Sequence, residues 1–374
     1  MATLQSDKPM RQQVEEYIST LQEEIVAAFE ALDPSAPKFK RDAWVRPQGG
    51  RGLSCVFAVP HPSSPAAAQQ PAHTNTVLEK AGVNISIVHG SLPPAAVKQM
   101  RADHGSLKDL DVDEKGALPF FAAGISLVIH PRNPHAPTVH ANYRYFEIAD
   151  KVAQASTGSA PSQQPQGTVL AWWFGGGSDL TPSYLYESDA AHFHTTLRDA
   201  AASHGAALYP VLKKWCDEYF YIPHRGEARG IGGIFFDDLC DEDHKTFSAF
   251  GEVGGESADK GRPRSAEAIL KMVKDLGNAF VPSYVPILKQ RSSTPYTEAE
   301  RRWQLLRRGR YVEFNLVYDR GTRFGLLTPG ARIESVLMSL PEEARWEYMS
   351  DMGALGTREA EVQEVLQKPR VWVQ

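Results

Sequence analysis

The sequence predicts an α+β fold: one domain on a large antiparallel sheet of about seven strands, flanked by helices on both sides. Three observations carry this. Short runs of alternating apolar and polar residues recur along the chain, several joined by brief turns. Helical periodicity gathers toward the two ends of the sequence. Strands and helices do not alternate in βαβ fashion, and no internal repeat is found, so a doubly wound parallel sheet is disfavoured. The 374 residues, 42% hydrophobic and 23% charged, are ordinary for a globular protein. A formal charge of −5 argues against generic nucleic-acid binding. No apolar run approaches the roughly 18 residues of a transmembrane helix. The first residues lack an apolar signal core, are not Arg-rich and include Asp7, so neither a signal peptide nor a mitochondrial presequence is expected. Cys55, Cys216 and Cys240 are far apart and form no Cys-x-x-Cys pair, which makes reducing cytosol the simplest compartment.

Arg11 to Leu32 reads as an amphipathic helix, with Val14, Ile18, Leu21, Ile25 and Phe29 at helical spacing. Asp33-Pro34 stops it. Phe39 to Arg51 reads as a loop, Leu53 to Val59 and Gly82 to His89 as strands, and Pro93 to Arg101 as a short helix. The central feature is Gly124 to Glu147, two strands joined by a Pro/Asn/His turn. In its second run Val139, Ala141, Tyr143 and Tyr145 share one face, while His140, Asn142 and Arg144 form a polar ladder on the other. Alternation alone fits a solvated strand. An imidazole, an amide and a guanidinium in one row also suit carboxylate binding.

Val169 to Phe174 reads as a strand running into a turn at Gly175-Gly176-Gly177-Ser178-Asp179. Spacing alone favours a tight turn capped by Asp179; the alternative is Asp179 in a flat pocket walled by Trp172, Trp173 and Phe174. The glycines match neither a dinucleotide fingerprint nor a phosphate loop. Ser188 to His204 and Ala206 to Phe220 read as helices, followed by a polar loop through Arg229 and a strand, Ile231 to Phe236, ending at Asp237-Asp238. Ala266 to Gln290, broken near Pro282 and Pro286, and Thr297 to Arg308 read as helices. Tyr311 to Tyr318 and Arg323 to Leu327 read as a hairpin, and Arg332 to Met338, Glu342 to Met349 and Arg358 to Gln367 as short closing helices. Segments 60–76, 151–167 and 240–264 read by composition as peripheral insertions in the single domain 1–374.

His130, His135, His140, His194 and His224 follow no metal-binding spacing, and a hydrogen-bonded structural role is the default for each. Arginines cluster near glycines: Arg225 and Arg229; Arg307, Arg308 and Arg310; Arg320, Arg323 and Arg332. Surface charge is the plain reading, above all for Arg307 and Arg308. Bidentate recognition of several carboxylates is the functional one.

Long motifs then carry a resemblance: residues 82–90, the central hairpin, 172–182, 224–239 and 309–322. Over these the sequence resembles oxygen-dependent coproporphyrinogen III oxidase. The resemblance implies that two propionates of coproporphyrinogen III become vinyls, giving protoporphyrinogen IX, carbon dioxide and hydrogen peroxide. It implies molecular oxygen as co-substrate, no organic cofactor, and a homodimer, here placed through about 311–348. Ser126, His140, Asn142, Tyr143, Arg144, Gly330, Ala331 and Arg332 match substrate-contacting positions. His140 matches the proton donor and Asp179 an aspartate placed at the pyrrole nitrogens; Arg144 completes the expected catalytic set. His130, His140, His194 and His224 match metal-binding positions of bacterial members. Eukaryotic members are regarded as needing no metal, which leaves a divalent metal open. Two rivals from other classes stand beside this reading: a non-catalytic tetrapyrrole carrier and a His-ligated metallohydrolase.

Overall fold

A computed structural model of the chain describes residues 8–47, 49–59, 75–100, 105–107, 116–150, 167–253, 256–327 and 330–373. Its strands are β1 (Lys40–Val45), β2 (Gly50–Ala58), β3 (Leu78–Leu92), β4 (Leu118–Pro131), β5 (Thr138–Ala149), β6 (Val169–Thr181), β7 (Tyr221–Ile222), β8 (Glu227–Ala228), β9 (Gly233–Leu239), β10 (Glu252–Val253) and β11 (Glu256–Ser257). Seven of them form one sheet in the order β1-β2-β3-β4-β5-β6-β9, with every pair antiparallel. The helices are α1 (Met10–Leu32), α2 (Pro94–Met100), α3 (Glu187–Ala202), α4 (Leu208–Tyr219), α5 (Lys245–Phe250), α6 (Ala266–Asn278), α7 (Phe280–Arg291), α8 (Glu298–Glu313), α9 (Arg320–Leu327), α10 (Ile333–Leu337) and α11 (Arg358–Gln367).

The main core lies on one face of the sheet. Ile85, Ile125, Leu127, Val139, Ala141, Tyr143 and Tyr145 point into it and meet Val14, Ile18, Leu21, Ile25 and Phe29 of α1, together with α3, α6 and α7. The expected period-2 alternation of the central hairpin is therefore the division between this core and the opposite face. At one end of that second face a smaller apolar cluster joins Val97 of α2 to Leu118, Ile148, Ala171 and Trp173. At β9 another joins Cys216, Phe220, Phe235 and Phe314. Between them the surface is polar.

Several local expectations change. Lys40–Val45, expected within a loop, is an edge strand paired along its whole length with β2. The glycine-rich turn is absent: Gly175 to Asp179 continue β6, hydrogen-bonded to β5 on one side and β9 on the other. None of these three glycines has a positive φ; they are small for packing, not for turning. The expected strand Tyr311–Tyr318 is the end of α8 followed by a π-helical stretch, Phe314–Tyr318. Tyr311 and Phe314, three residues apart, both lie against the guanidinium of Arg229, which helical geometry allows and a strand does not. Arg323–Leu327 belongs to α9, and Glu342–Met349 is not helical because Glu347 is held by Arg302 and Arg345 while Arg345 N–H bonds Leu305 O. The helix break expected near Pro282 falls at Ala279, and Pro286 is accommodated inside α7.

The stretch 240–264, read as peripheral, is partly built into the fold. Phe247 is fully buried, and Arg262 is buried against Asp259, which it holds at 2.7 Å. Most of 60–76 and 151–167 falls outside the described residues. Arg307 and Arg308, expected at the surface, are buried because Glu227 and Glu79 pair with them. Among the described residues no helix is long and apolar enough to cross a membrane.

Candidate active site

Residues opposite one another in a sheet share a face, so the strand registers lay out rows across the second face. One row reads Asp42, Ser54, Asn84, Ser126, Asn142, Gly177, Phe235. Beside it run Trp44, Gly52, Ser86, Gly124, Arg144 and Gly175. On the other side run Val56, Gly82, Val128, His140, Asp179 and Gly233. The middle of the face is thus a shallow floor of Gly, Ser and Asn. Phe120, Phe146 and Trp173 stack at one end, with ring centroids 5.6 and 4.6 Å apart. Part of the floor is covered by α10 and its neighbours. Ser335 bonds Ser54 at 2.8 Å and accepts from Asn84 at 3.1 Å; Arg332 pairs with Asp42. Met338 packs so close over Gly82 that a Cβ there would lie 1.8 Å from its sulfur, and the Met338 side chain would have to shift to admit one.

At the edge of the floor His140 Nδ1–H donates to Asp179 Oδ1 at 2.7 Å. Arg229 Nη2 donates to Asp179 Oδ2 at 2.7 Å, and Arg229 Nη1 to Asn315 Oδ1 at 2.9 Å. The Arg229 guanidinium is buried among Phe220, Tyr311 and Phe314, 4.1, 4.6 and 4.9 Å from their ring centroids. Burial alone would raise the Asp179 carboxyl; the Arg229 charge, aided by His140, outweighs it and holds the group below its ordinary value. Asp179 is therefore a carboxylate, although only 2% of its side chain is exposed. His140 is the more accessible member, 19% exposed, with its ring edge on Phe220. Its Nδ1 is committed to Asp179, which leaves Nε2 as the atom for proton exchange.

The structure brings Ser126, His140, Asn142 and Arg144 to one face, as the alternation predicts. Arg144 Nη1 holds Asn142 Oδ1 at 3.0 Å. Tyr143 departs from the expected substrate set: its side chain points into the main core, so only its backbone borders the floor. Asp179, expected at a substrate's pyrrole nitrogens, lies behind His140 with each carboxylate oxygen accepting one hydrogen bond, from His140 and from Arg229. Of the three expected wall residues, Trp173 faces the floor, whereas Phe174 turns into the core against Tyr145. Gly330, with φ 74°, and Ala331 precede Arg332 on the covering segment.

The four histidines matched to a metal site do not converge. His130 Nε2–H donates to Ser339 O at 2.9 Å and Nδ1 accepts from Thr138 at 3.2 Å. His194 Nε2–H donates to Ile231 O at 3.2 Å and Nδ1 bonds Tyr209 at 2.8 Å. His224 is held by Tyr318 and Glu313 at 2.6 and 2.7 Å. Burial, with nearby Arg308 and Lys213 respectively, pushes His130 and His194 far down, so both are neutral. Among the described residues no group of three or more His, Cys, Asp or Glu side chains is arranged to hold a metal ion. These residues do not fit a shared metal site. Asn315 and Asp237 are site residues that sequence reasoning did not single out. The Arg225–Arg229 pair was visible near glycines, but nothing local marked Arg229 as the buried partner of Asp179.

An imidazole–carboxylate pair thus lies beside a small-residue floor, an aromatic stack and guanidiniums. The sequence profile of the family "Coproporphyrinogen III oxidase" matches residues 13–372. The chain is 48% identical over 372 residues to the oxygen-dependent coproporphyrinogen-III oxidase of Drosophila melanogaster, covering all of this chain and 80% of that protein. It is 47% identical over 364 residues to the mitochondrial enzyme of Homo sapiens, covering 97% and 67%. To coproporphyrinogen-III oxidase 1, chloroplastic, of Arabidopsis thaliana it is 44% identical over 368 residues, covering 98% and 81%. The chain belongs to the coproporphyrinogen III oxidase family and is an oxidoreductase.

Proposed function

We propose that the polar face binds coproporphyrinogen III and that His140, backed by Asp179 and Arg229, is its acid–base group. The reaction is the oxygen-dependent conversion of two propionates to vinyls, giving protoporphyrinogen IX. Each propionate loses its carboxylate as carbon dioxide and a hydride equivalent from the carbon next to the ring. Oxygen takes the hydride and one proton and leaves as hydrogen peroxide. Electrons pass from substrate to oxygen, so the balance calls for no organic cofactor. It does call for one proton per vinyl formed, and a donor must stand at the reacting side chain.

The observation that carries this reading is the buried chain His140–Asp179–Arg229 at the edge of the floor. Arg229 keeps Asp179 anionic. Asp179 fixes the ring of His140 and stabilises positive charge on it, so Nε2 can take a pyrrole proton and return one during oxygen reduction. Ser126 and Asn142 offer hydrogen bonds from the floor, Phe146 and Trp173 an apolar wall, and Arg144 and Arg332 receive carboxylates. A homodimer through about 311–348 is the accompanying assembly, supported by exposed Leu316, Val317, Leu327, Trp346 and Tyr348. The segments 60–76 and 151–167 are read as insertions in a single domain. The three cysteines are buried and unpaired, as a reducing compartment such as the cytosol would permit.

The test is turnover of coproporphyrinogen III with and without oxygen, following vinyl product and oxygen uptake together. Oxygen-dependent product that His140→Gln abolishes is expected. Binding without oxygen uptake would make the chain a carrier.

A further inference from the structure

The segment that covers the floor crosses it strand by strand. Arg332 pairs with Asp42 of β1, Ser335 meets Ser54 of β2 and Asn84 of β3, and Met338 lies over Gly82 of β3. Ser339 ends the crossing at β4, where its carbonyl accepts from His130 Nε2–H at 2.9 Å. Its hydroxyl donates to Val336 O at 3.1 Å and accepts from Asn315 Nδ2 at 3.4 Å. Asn315 Oδ1 in turn accepts from Arg229 Nη1 at 2.9 Å. One amide therefore joins the covering segment to the ion pair behind His140.

Asn315 is 4% exposed, and it reaches this place because of how α8 ends. The backbone widens into the π-helical stretch Phe314–Tyr318, where Asp319 N–H donates to Phe314 O, five residues back, at 3.0 Å. Such turns recur at functional sites. This one keeps Tyr311, Phe314 and Asn315 on the side that meets Arg229. Arg229 Nε is buried without an acceptor among the described residues. The direction of the guanidinium in its own plane thus rests on the bonds to Asp179 and Asn315. The residue type at 315 follows from this. A carboxylate there would compete with Asp179 for the buried cation, and an alkyl side chain would leave Nη1 unpaired. An amide accepts the N–H and carries no charge, so the guanidinium charge is left to Asp179. Its other end is a donor that needs an acceptor, and Ser339 supplies one.

We propose that Asn315 is a positioning residue that directs Arg229 at the Asp179 carboxylate, and that Ser339 of the covering segment sets Asn315. The cover over the floor and the acid–base group at its edge are then one hydrogen-bonded unit. This inference rests on the reading of His140 as the acid–base group.

Asn315→Leu tests the proposal, because it keeps the volume and removes both bonds. Its kcat with coproporphyrinogen III should fall roughly five- to a hundred-fold, the worth of an unmet buried donor. KM, and the Kd for coproporphyrin III as a non-reacting probe, should stay nearly unchanged. Ser339→Ala should lower kcat in the same way but less, and Ser339→Thr, which keeps the hydroxyl, should retain it. Asn315→Leu with Ser339→Ala should be no slower than Asn315→Leu alone, since both act through Arg229. In the unliganded protein the NMR signal of the His140 Nδ1 proton, identified by its loss in His140→Gln, should shift in Asn315→Leu and Ser339→Ala. Thermal midpoints check folding, and the two Ser339 variants decide if Asn315→Leu does not fold. Parent-like kcat in folded Asn315→Leu, effects that multiply in the double variant, equal losses in Ser339→Ala and Ser339→Thr, or an unmoved His140 signal each overturn the proposal. His140→Gln separates the two levels. Turnover that survives it ends the acid–base reading; turnover that it abolishes but the Asn315 and Ser339 changes leave intact ends the positioning inference alone.

Discussion

Replacing Asp179 by Asn removes one charge from an ion pair that water does not reach. The Asp179–Arg229 contact is 2.7 Å with both side chains 2% exposed. Asn keeps the size and can still accept from His140, but Arg229 is left as a buried guanidinium with only Asn315 and three aromatic rings around it. Breaking a buried pair in this way costs about 3–5 kcal/mol of stability. Catalysis should suffer separately. Without the carboxylate, positive charge on His140 is no longer stabilised, and losing such a contact costs about 2.7–4 kcal/mol, or roughly a hundred- to thousand-fold in kcat. The two effects separate in a cycle with Arg229→Met, which removes the orphaned charge and refills the aromatic box. The double variant should regain much of the stability, with a coupling of about 1–3 kcal/mol, and none of the activity. Urea unfolding gives the stabilities; an oxygen electrode with coproporphyrinogen III gives kcat and KM. A destabilised single variant with near-normal kcat would assign Asp179 to structure alone. A single variant as stable as the parent would show that Arg229 does not depend on the carboxylate.

Three further outcomes follow from other parts of the fold. Burial pushes the His194 ring down to about 3, against about 6.5 in an unfolded chain, so the unfolded chain binds the extra proton. Stability from this group is complete above about pH 6.5 and is lost as pH falls toward 3; His194→Gln should flatten the acid limb by about 1.4 kcal/mol per pH unit, and parallel limbs would contradict it. Light scattering at micromolar concentration should give twice the chain mass, and Val317→Glu with Leu327→Glu should return a monomer; a parent that is already monomeric would exclude the 311–348 interface. The Asp150 N–H donates to Thr168 O at 2.8 Å, so the ends of segment 151–166 lie side by side; replacing it by a short Gly-containing turn should leave turnover unchanged, and a folded, inactive product would show that the segment takes part.

The legible parts of this chain are those whose cause is local. The alternation from Val139 to Tyr145 marks which side chains enter the core, so the ladder His140–Asn142–Arg144 is readable without a structure. The glycines at 175–177 misled because glycine signals turns more often than it signals close packing. Their reason lies on β5 and β9: Gly175 is packed by Arg144 and Asp237, Gly176 by Tyr143 and Phe236, and Gly177 by Ile234 and Phe235. Tyr311–Tyr318 alternates convincingly but is wound as a helix around Arg229. Arg308 looked like surface charge because its partner Glu79 lies 229 residues away. Arg229 was missed as the counter-ion of Asp179 because nothing local places it within reach of β6.

The two faces of the sheet are completed at very different times. The apolar side of β3 and β4 packs on α1, which precedes both strands in the sequence and leaves the ribosome first. The polar side waits. Asp42 meets Arg332 across 290 residues, Ser54 meets Ser335 across 281 and Asn84 meets it across 251. At about 5–20 residues per second, translation leaves that side uncovered for roughly 15–60 seconds. A floor of Ser, Asn and Gly can stay hydrated through such a wait, where an apolar one would invite aggregation. The composition that suits a polycarboxylate ligand is thus also one that a nascent chain can expose safely while the residues that will cover it are still being made.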